Sequence, residues 1–554
     1  MGETIIQQFY IQEKQKGDKA FLHQPNGDKW ETYTYKEVGQ MARKMANHLK
    51  SLGMTKGKHI GLVSKNCREW IIADLAIMMA ECVSVPFFPT LSGEQIAEVI
   101  QLGDVDLLFV GKMEVWDDMK TGVPEDMPII RFPHYKNNSK VDRGTDWNEI
   151  LNNTQPLEGS PSGEMEDLWT IVFTSGTTGT PKGVMLKYSS PYNLLANSKE
   201  YNGLNMSFEG DDRFFSYLPL NHIAERAIVE CGSITYGSEI FFTESLAKFG
   251  QNLRDAKPTI FFAVPRIWTK LMLGVLDKMP QEKLSRMLKI PFVSGIVKKK
   301  IKSGIGLHEA KTNVSGAAPI PQSTKDWFAK IGLPISEGYG MTENCAACTF
   351  MKVEEERPGS VGKAQAGVEL KIHPETNEIL MKAPFVMTGY YKSPDKTAET
   401  IKDGWLHTGD QGRIDEDGYL YITGRVKDTF KTSKGEFIVP SKIEDQFSTN
   451  QDIEQMCLLG LGIPQPILAV VLSEMGQAKS KDAIIDSLCK TLDEANKNLV
   501  NYERVSSILV TKEPFSIEDG TLTPTLKVKR SKVHDKYKHR ILEDCESADK
   551  IVFQ

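Results

Sequence analysis

Apolar residues recur at helical spacing over Tyr35–Leu52 and stop at Gly53, and the apolar run His59–Ser64 that follows directly predicts a strand. The rhythm then repeats as a helix over Trp70–Ala80, a strand over Val83–Phe88 and a helix over Gly93–Leu102. Further strands are predicted at Ile171–Phe173, Arg213–Leu218, Glu239–Phe242 and Thr259–Val264. Strand–helix units of this length indicate α/β layers with largely parallel sheets. Near Leu370 the texture changes to short strands between Gly and Asp turns, a β-rich subdomain. After Gly424 a mixed α/β tail of about 130 residues follows, the size of one small domain. The expected fold class is therefore α/β: a large N-terminal domain (1–424) of layered α/β and β-rich subdomains, with a small C-terminal α/β domain (425–554).

Composition narrows the classes. Of 554 residues 40% are hydrophobic, enough for a large core without disulfides. The net charge of −6 gives no reason to expect a nucleic-acid partner. The eight cysteines are too sparse for a secreted disulfide framework, and the pair Cys345 and Cys348 reads as two small buried residues. Trp70–Phe88 is the most apolar stretch, but Asp74 and Glu81 interrupt it and Pro86 closes it, so a buried helix and strand are expected instead of a membrane span. The opening MGETIIQQFY lacks the pattern of a signal peptide, and Ile6 stands where a myristoylation motif wants Ser or Thr. A cytoplasmic protein is expected; peripheral membrane contact and oligomeric state stay open. The run Lys298–Lys300 reads as a solvated basic face, with anionic lipid or CoA phosphates as the alternative.

The chemistry enters at Ile171–Gly183, IVFTSGTTGTPKG, where an apolar strand runs into a hydroxyl- and glycine-rich loop ending in Lys182. Glycines let the backbone approach an anion while N–H and hydroxyl groups donate to phosphate oxygens. No Walker A spacing can be drawn through it. The string TSGTTGTPKG resembles the phosphate loop of the acyl-adenylate-forming superfamily, which includes acyl-CoA synthetases, luciferases and peptide-synthetase adenylation domains.

The other segments of that family follow in order. SGAAP at Ser315–Pro319 resembles the adenine-side glycine loop, and EGYGMTE at Glu337–Glu343 the segment flanking adenine and the α-phosphate. LHTGD ends on Asp410 and GRVKD begins at Gly424. The resemblance implies ATP held by Thr174, Ser175, Gly176, Thr177, Thr178, Gly179, Gly316, Glu337, Gly338, Tyr339 and Thr342. It implies Mg²⁺ on Glu343 with Thr174 as a second oxygen, the ribose on Asp410 and Arg425, and Ile422 packed on the nucleoside. GTLTPTLKVKR at Gly520–Arg530 aligns Lys527 with the family's catalytic lysine, with Lys529 as the alternative register. Adenylation joins two anions, so Lys182 and Lys527 act by neutralising charge and aligning the attack at the α-phosphorus. The resemblance also implies a hinge at Lys427, about which the small domain swings, and a loop from Lys431 to Phe437 that enters the site for thioester formation with CoA.

SYLPLNHIAE at Ser216–Glu225 is similar to fatty acyl-CoA synthetases and places His222 beside the reacting carboxylate; Arg226 stands where some members carry an aromatic gate. PTIFFAVPRIW at Pro258–Trp268 resembles the long-chain group, and Phe261, Phe262, Val264 and Ile267 suit either an acyl tunnel or a buried strand. The expected activity is ATP-dependent ligation of a long-chain fatty acid to coenzyme A through acyl-AMP. The alternatives are loading of a carrier protein, activation of an aromatic or bile-type acid, and a non-catalytic nucleotide or acyl-CoA binder.

Overall fold

The computed structural model describes residues 2–175, 181–201, 210–426, 430–517, 519–523, 527–545 and 549–554. The helix predicted from Tyr35 spans Tyr35–Ser51 and begins at a capping box, in which Thr34 and Glu37 satisfy each other's backbone N–H. The next helix runs Arg68–Met79, and every side chain from Glu69 to Met79 is buried. Such a helix has no polar face to give to water, so it needs a layer on every side.

Two sheets supply those layers. One has eight strands in the order Gly389–Tyr390, Pro181–Lys187, Leu168–Ser175, Val83–Phe87, His59–Val63, Leu107–Val110, Ile129–Arg131 and Thr145–Asp146. It is parallel from Leu168–Ser175 to Thr145–Asp146, as the strand–helix rhythm predicts. The other has nine strands, and its parallel centre is Ser336–Tyr339, Thr312–Gly316, Ile260–Ala263, Arg213–Ser216 and Glu239–Phe242. Two predicted strands are shorter than expected. The one from Arg213 ends at Ser216, ahead of Pro219, and the one before Trp268 ends at Ala263, where Val264 and Pro265 open a helix.

Past Leu370 the texture change corresponds to a five-stranded sheet that includes Glu378–Lys382, Trp405–Ile414 and Leu420–Arg425. Beyond residue 430 a four-stranded sheet (Ile453–Leu459, Ile467–Leu472, Ile508–Val510, Ile551–Phe553) carries its own apolar clusters. This C-terminal part meets the larger one through the Arg266–Glu454 ion pair at 3.4 Å and at Gly424, where a Cβ would lie 2.7 Å from Val439 Cγ1. Among the described residues no helix is long and apolar enough to cross a membrane.

Candidate active site

The strand Leu168–Ser175 delivers the phosphate-loop sequence and Pro181–Lys187 carries it back. Gly176, Thr177, Thr178 and Gly179 lie outside the described residues, as does the side chain of Ser175. Thr174 is half-buried, and its hydroxyl donates to the Lys182 carbonyl at 3.5 Å. The Lys182 ammonium stands 4.8 Å from the ring centroid of Tyr390. That tyrosine occupies the short edge strand paired with the loop's return strand, Tyr390 opposite Val184. Its hydroxyl donates to Glu343 Oε1 at 2.7 Å, and the Met387 N–H donates to the Glu343 carbonyl at 2.8 Å. One aromatic residue thus ties the loop lysine to the carboxylate expected to hold magnesium.

The other Glu343 oxygen has no hydrogen-bond partner among the described residues. One carboxylate with a spare oxygen, plus the Thr174 hydroxyl, is a donor set that fits Mg²⁺, which keeps most of its shell for phosphate and water. Among the described residues no cluster of three or more His, Cys, Asp or Glu forms an all-protein metal cage.

Where the nucleoside is expected, Ser315 and Gly316 pair with Glu337 and Gly338 in parallel register. A Cβ on Gly316 would lie 3.1 Å from the Gly338 carbonyl and 3.4 Å from the Phe262 ring, so glycine is what lets these backbones approach. Thr342 is buried and opens a short 3₁₀ turn that presents Glu343. The Tyr339 hydroxyl donates to Asp410 Oδ2 at 2.7 Å, and Arg425 Nε donates to Asp410 Oδ1 at 2.9 Å. Asp410 is buried while Arg425 stays half exposed, which leaves carboxylate lone pairs on a partly open edge, the arrangement a ribose diol needs. Ile422 lies on the same strand as Arg425 and packs against the main core. Glu337 is engaged locally: it accepts from the Ile320 N–H at 3.3 Å and faces Lys325 at 3.6 Å, and burial pushes its carboxyl up to about 7.

Lys527 reaches this group from the C-terminal part. Its backbone N–H donates to Thr523 Oγ1 at 3.0 Å and its carbonyl accepts from the Thr523 N–H at 2.7 Å. Burial, with the nearby Arg425 charge, lowers its ammonium to about 8, against the pull of Asp410 and Glu343. The Lys529 N–H closes on the Thr521 carbonyl at 2.8 Å. Burial and the Lys527 charge together lower His222 to about 3, so the imidazole is neutral near pH 7. Its Nδ1 accepts from the Ala224 N–H at 3.3 Å, which assigns the ring proton to Nε2.

Asn66 steadies the turn that carries His222, donating to Ser216 Oγ at 2.8 Å and the Leu218 carbonyl at 2.7 Å. Lys431 stands apart: it lies on the hairpin Phe430–Lys431 with Phe437–Ile438, its ammonium 4.5 Å from the Phe437 ring centroid. It is not among the charges that act on Lys527. Lys427 lies outside the described residues.

Two features had little or no sequence signal. Tyr390 is one of two tyrosines in a β-rich stretch, and nothing local distinguishes it. Arg226 was legible only as a departure from an aromatic residue. It is fully buried: Nη2 donates to both Asp74 oxygens at 2.6 Å, Nη1 to Thr170 Oγ1 at 2.6 Å and Nε to Glu230 at 3.3 Å. Its guanidinium also lies 4.2 Å from the Trp169 ring and 5.5 Å from that of Trp70. It starts a π-helical stretch, Arg226–Cys231, directly after the His222 turn. Cys345 and Cys348 are buried and unpaired, with burial raising the Cys345 thiol to about 12.

The family model described as AMP-binding enzyme matches residues 9–391, and that for the AMP-binding enzyme C-terminal domain matches residues 427–547. The chain belongs to the AMP-binding enzyme family. The long-chain-fatty-acid–CoA ligase ACSBG2 of Xenopus laevis is 28% identical over 97% of this chain and 83% of its own length. Long chain acyl-CoA synthetase 5 of Arabidopsis thaliana is 29% identical over 92% of this chain and 86% of its own. Among solved structures, the A-PCP didomain of carboxylic acid reductase from Segniliparus rugosus, in complex with AMP, superposes with a TM-score of 0.82. It is 20% identical, over 99% of this chain and 82% of that one. The expectations of an α/β fold and of the adenylate-forming superfamily, long-chain ligase type, agree with these findings.

Proposed function

We propose that the protein is an ATP-dependent long-chain fatty acid–CoA ligase. It activates the acid to acyl-AMP with release of pyrophosphate and then transfers the acyl group to coenzyme A. The observation that supports the chemistry best is the meeting of Lys527 with Glu343, Asp410 and Arg425, brought together from distant stretches of chain. The substrate class rests on relatives named as long-chain ligases and aligned over nearly the whole chain.

In this reading Asp410 and Arg425 orient the ribose, and Gly316 and Gly338 give the base a close backbone wall. Lys527 neutralises the carboxylate and α-phosphate as they meet, and Lys182 the departing pyrophosphate. Neutral His222 donates a hydrogen bond from Nε2 beside the acid. Glu343 and Thr174 would hold Mg²⁺, which when bound screens the phosphate charge. After adenylation the small domain turns about Lys427, withdrawing Lys527 and bringing in the Lys431 loop for the thiol step.

The test is carboxylate-dependent pyrophosphate release over acids of increasing length, with and without CoA. Release that grows with chain length, and acyl-CoA formed only with CoA, is the expected result. No release with an acid of any length would overturn the reading. A second reading, transfer to a carrier protein, is motivated by the likeness to a didomain that includes a carrier; release without any CoA thioester would favour it.

A further inference from the structure

Between Trp268 and the strand Thr312–Gly316 the chain builds the helices Gln281–Leu288 and Val293–Ile305. They pack as a hairpin whose inner side chains, Leu284, Val297 and Ile301, join the apolar cluster of Trp268 and Phe328. The tip does the opposite. Phe292 is 92% exposed, Ile296 69% and Ile290 50%. Three large exposed apolar side chains within seven residues of chain are unusual on a protein of this kind, where exposed apolar residues are normally scattered. Phe292 also holds a positive φ of 64°, a region that a bulky residue seldom adopts.

Charge surrounds the tip. From Lys283 to Ile305 there are seven Lys and Arg and no Asp or Glu, in a chain whose net charge is −6. Lys289, Lys299 and Lys300 are exposed, and none of them pairs with a described carboxylate. Along the outer face of the second helix the order is Phe292 and Ile296, then Lys299 and Lys300. At about 1.5 Å of rise per residue, the lysines stand roughly 5–10 Å behind the apolar apex. That offset matches the depth from lipid phosphates to the acyl boundary.

We infer that this hairpin tip docks on an anionic phospholipid surface, with Ile290, Phe292 and Ile296 in the acyl boundary and the lysines on lipid phosphates. Charge complementarity selects this occupant. A second copy of the chain meeting the tip through a two-fold contact would set seven cations against the same seven. The docked face belongs to the layer that carries Trp268, so a membrane-dissolved acid and the protein's apolar layer lie on one side.

The experiment is co-sedimentation of the full chain with vesicles of phosphatidylcholine alone or with about 30 mol% phosphatidylserine, without ATP, acid or CoA. Its outcome is therefore independent of the ligase reading. Wild type should bind the anionic vesicles at least about tenfold more tightly, and about 0.5 M NaCl should remove most of that preference. Phe292→Ser/Ile296→Ser should weaken binding about tenfold or more, and Lys289→Ala/Lys299→Ala/Lys300→Ala about a hundredfold. Unchanged melting temperatures would show that both variants fold. Equal binding by wild type and variants, or no binding to either vesicle, overturns the inference. So does a dimer in light scattering that Phe292→Ser/Ile296→Ser converts to monomer, because the tip would then belong to a second copy.

Discussion

Lys527 gives a prediction that can be worked from its surroundings. Burial and Arg425 lower its ammonium to about 8, so the free enzyme loses this charge as the pH rises through that value. At pH 7 about 90% of the side chains are then charged, and at pH 9 about 10%. Because kcat/KM reports the free enzyme, adenylation at low ATP should fall about tenfold between those two points. Bound nucleotide and carboxylate add negative charge and raise the value again, so the same limb in kcat should lie higher. Lys527→Arg keeps its charge throughout and removes the limb, although its different geometry lowers the rate. The assay is pyrophosphate release without CoA, whose own thiol titrates nearby. A limb near pH 8 that persists unchanged in Lys527→Arg would refute the assignment, and so would a flat wild-type profile.

Tyr390→Phe removes the hydroxyl from Glu343 and keeps the ring under Lys182; the Mg²⁺ concentration for half-maximal adenylation should rise about 10–100-fold, with little change in melting temperature. Arg226→Leu strands Asp74 in the core, and the first unfolding transition in urea should lose about 3–5 kcal/mol, most of it recovered in Asp74→Leu/Arg226→Leu. No recovery would mean that the guanidinium acts mainly through its other partners, Glu230, Thr170, Trp169 and Trp70. Asp410→Asn keeps the shape but weakens the charge-assisted bond from Arg425, and the KM for ATP should rise about tenfold or more while the acid's KM moves little.

The sequence made some of this legible and hid the rest for definite reasons. Helices such as Tyr35–Ser51 could be read because their apolar spacing and their caps agree locally. Asp74 illustrates the limit. In the sequence it is a charge that breaks an apolar run; in the structure it is buried and answered by Arg226, about 150 residues later. No periodicity encodes that pairing. The phosphate loop, the Asp410 turn and the Lys527 segment could be found because each is a contiguous string that resembles a family segment. Tyr390 could not, since its role arises from strand pairing with Val184 and from a hydroxyl aimed at Glu343. Likewise the sequence could name Lys298–Lys300 but not the apolar apex beside it, because which helix face points outward is decided by Val297 and Ile301 packing inward.

The short strand Gly389–Tyr390 has a consequence for synthesis on the ribosome. It covers the edge of Pro181–Lys187, the strand that returns from the phosphate loop, but it is made about two hundred residues later. At roughly 5–20 residues per second that edge waits about 10–40 s with unpaired N–H and C=O groups. During that interval it is a template for any other extended chain nearby. The nascent protein is therefore most exposed to misassociation at the strand that returns from the proposed nucleotide loop, and a chaperone acting before residue 390 emerges would protect that edge first.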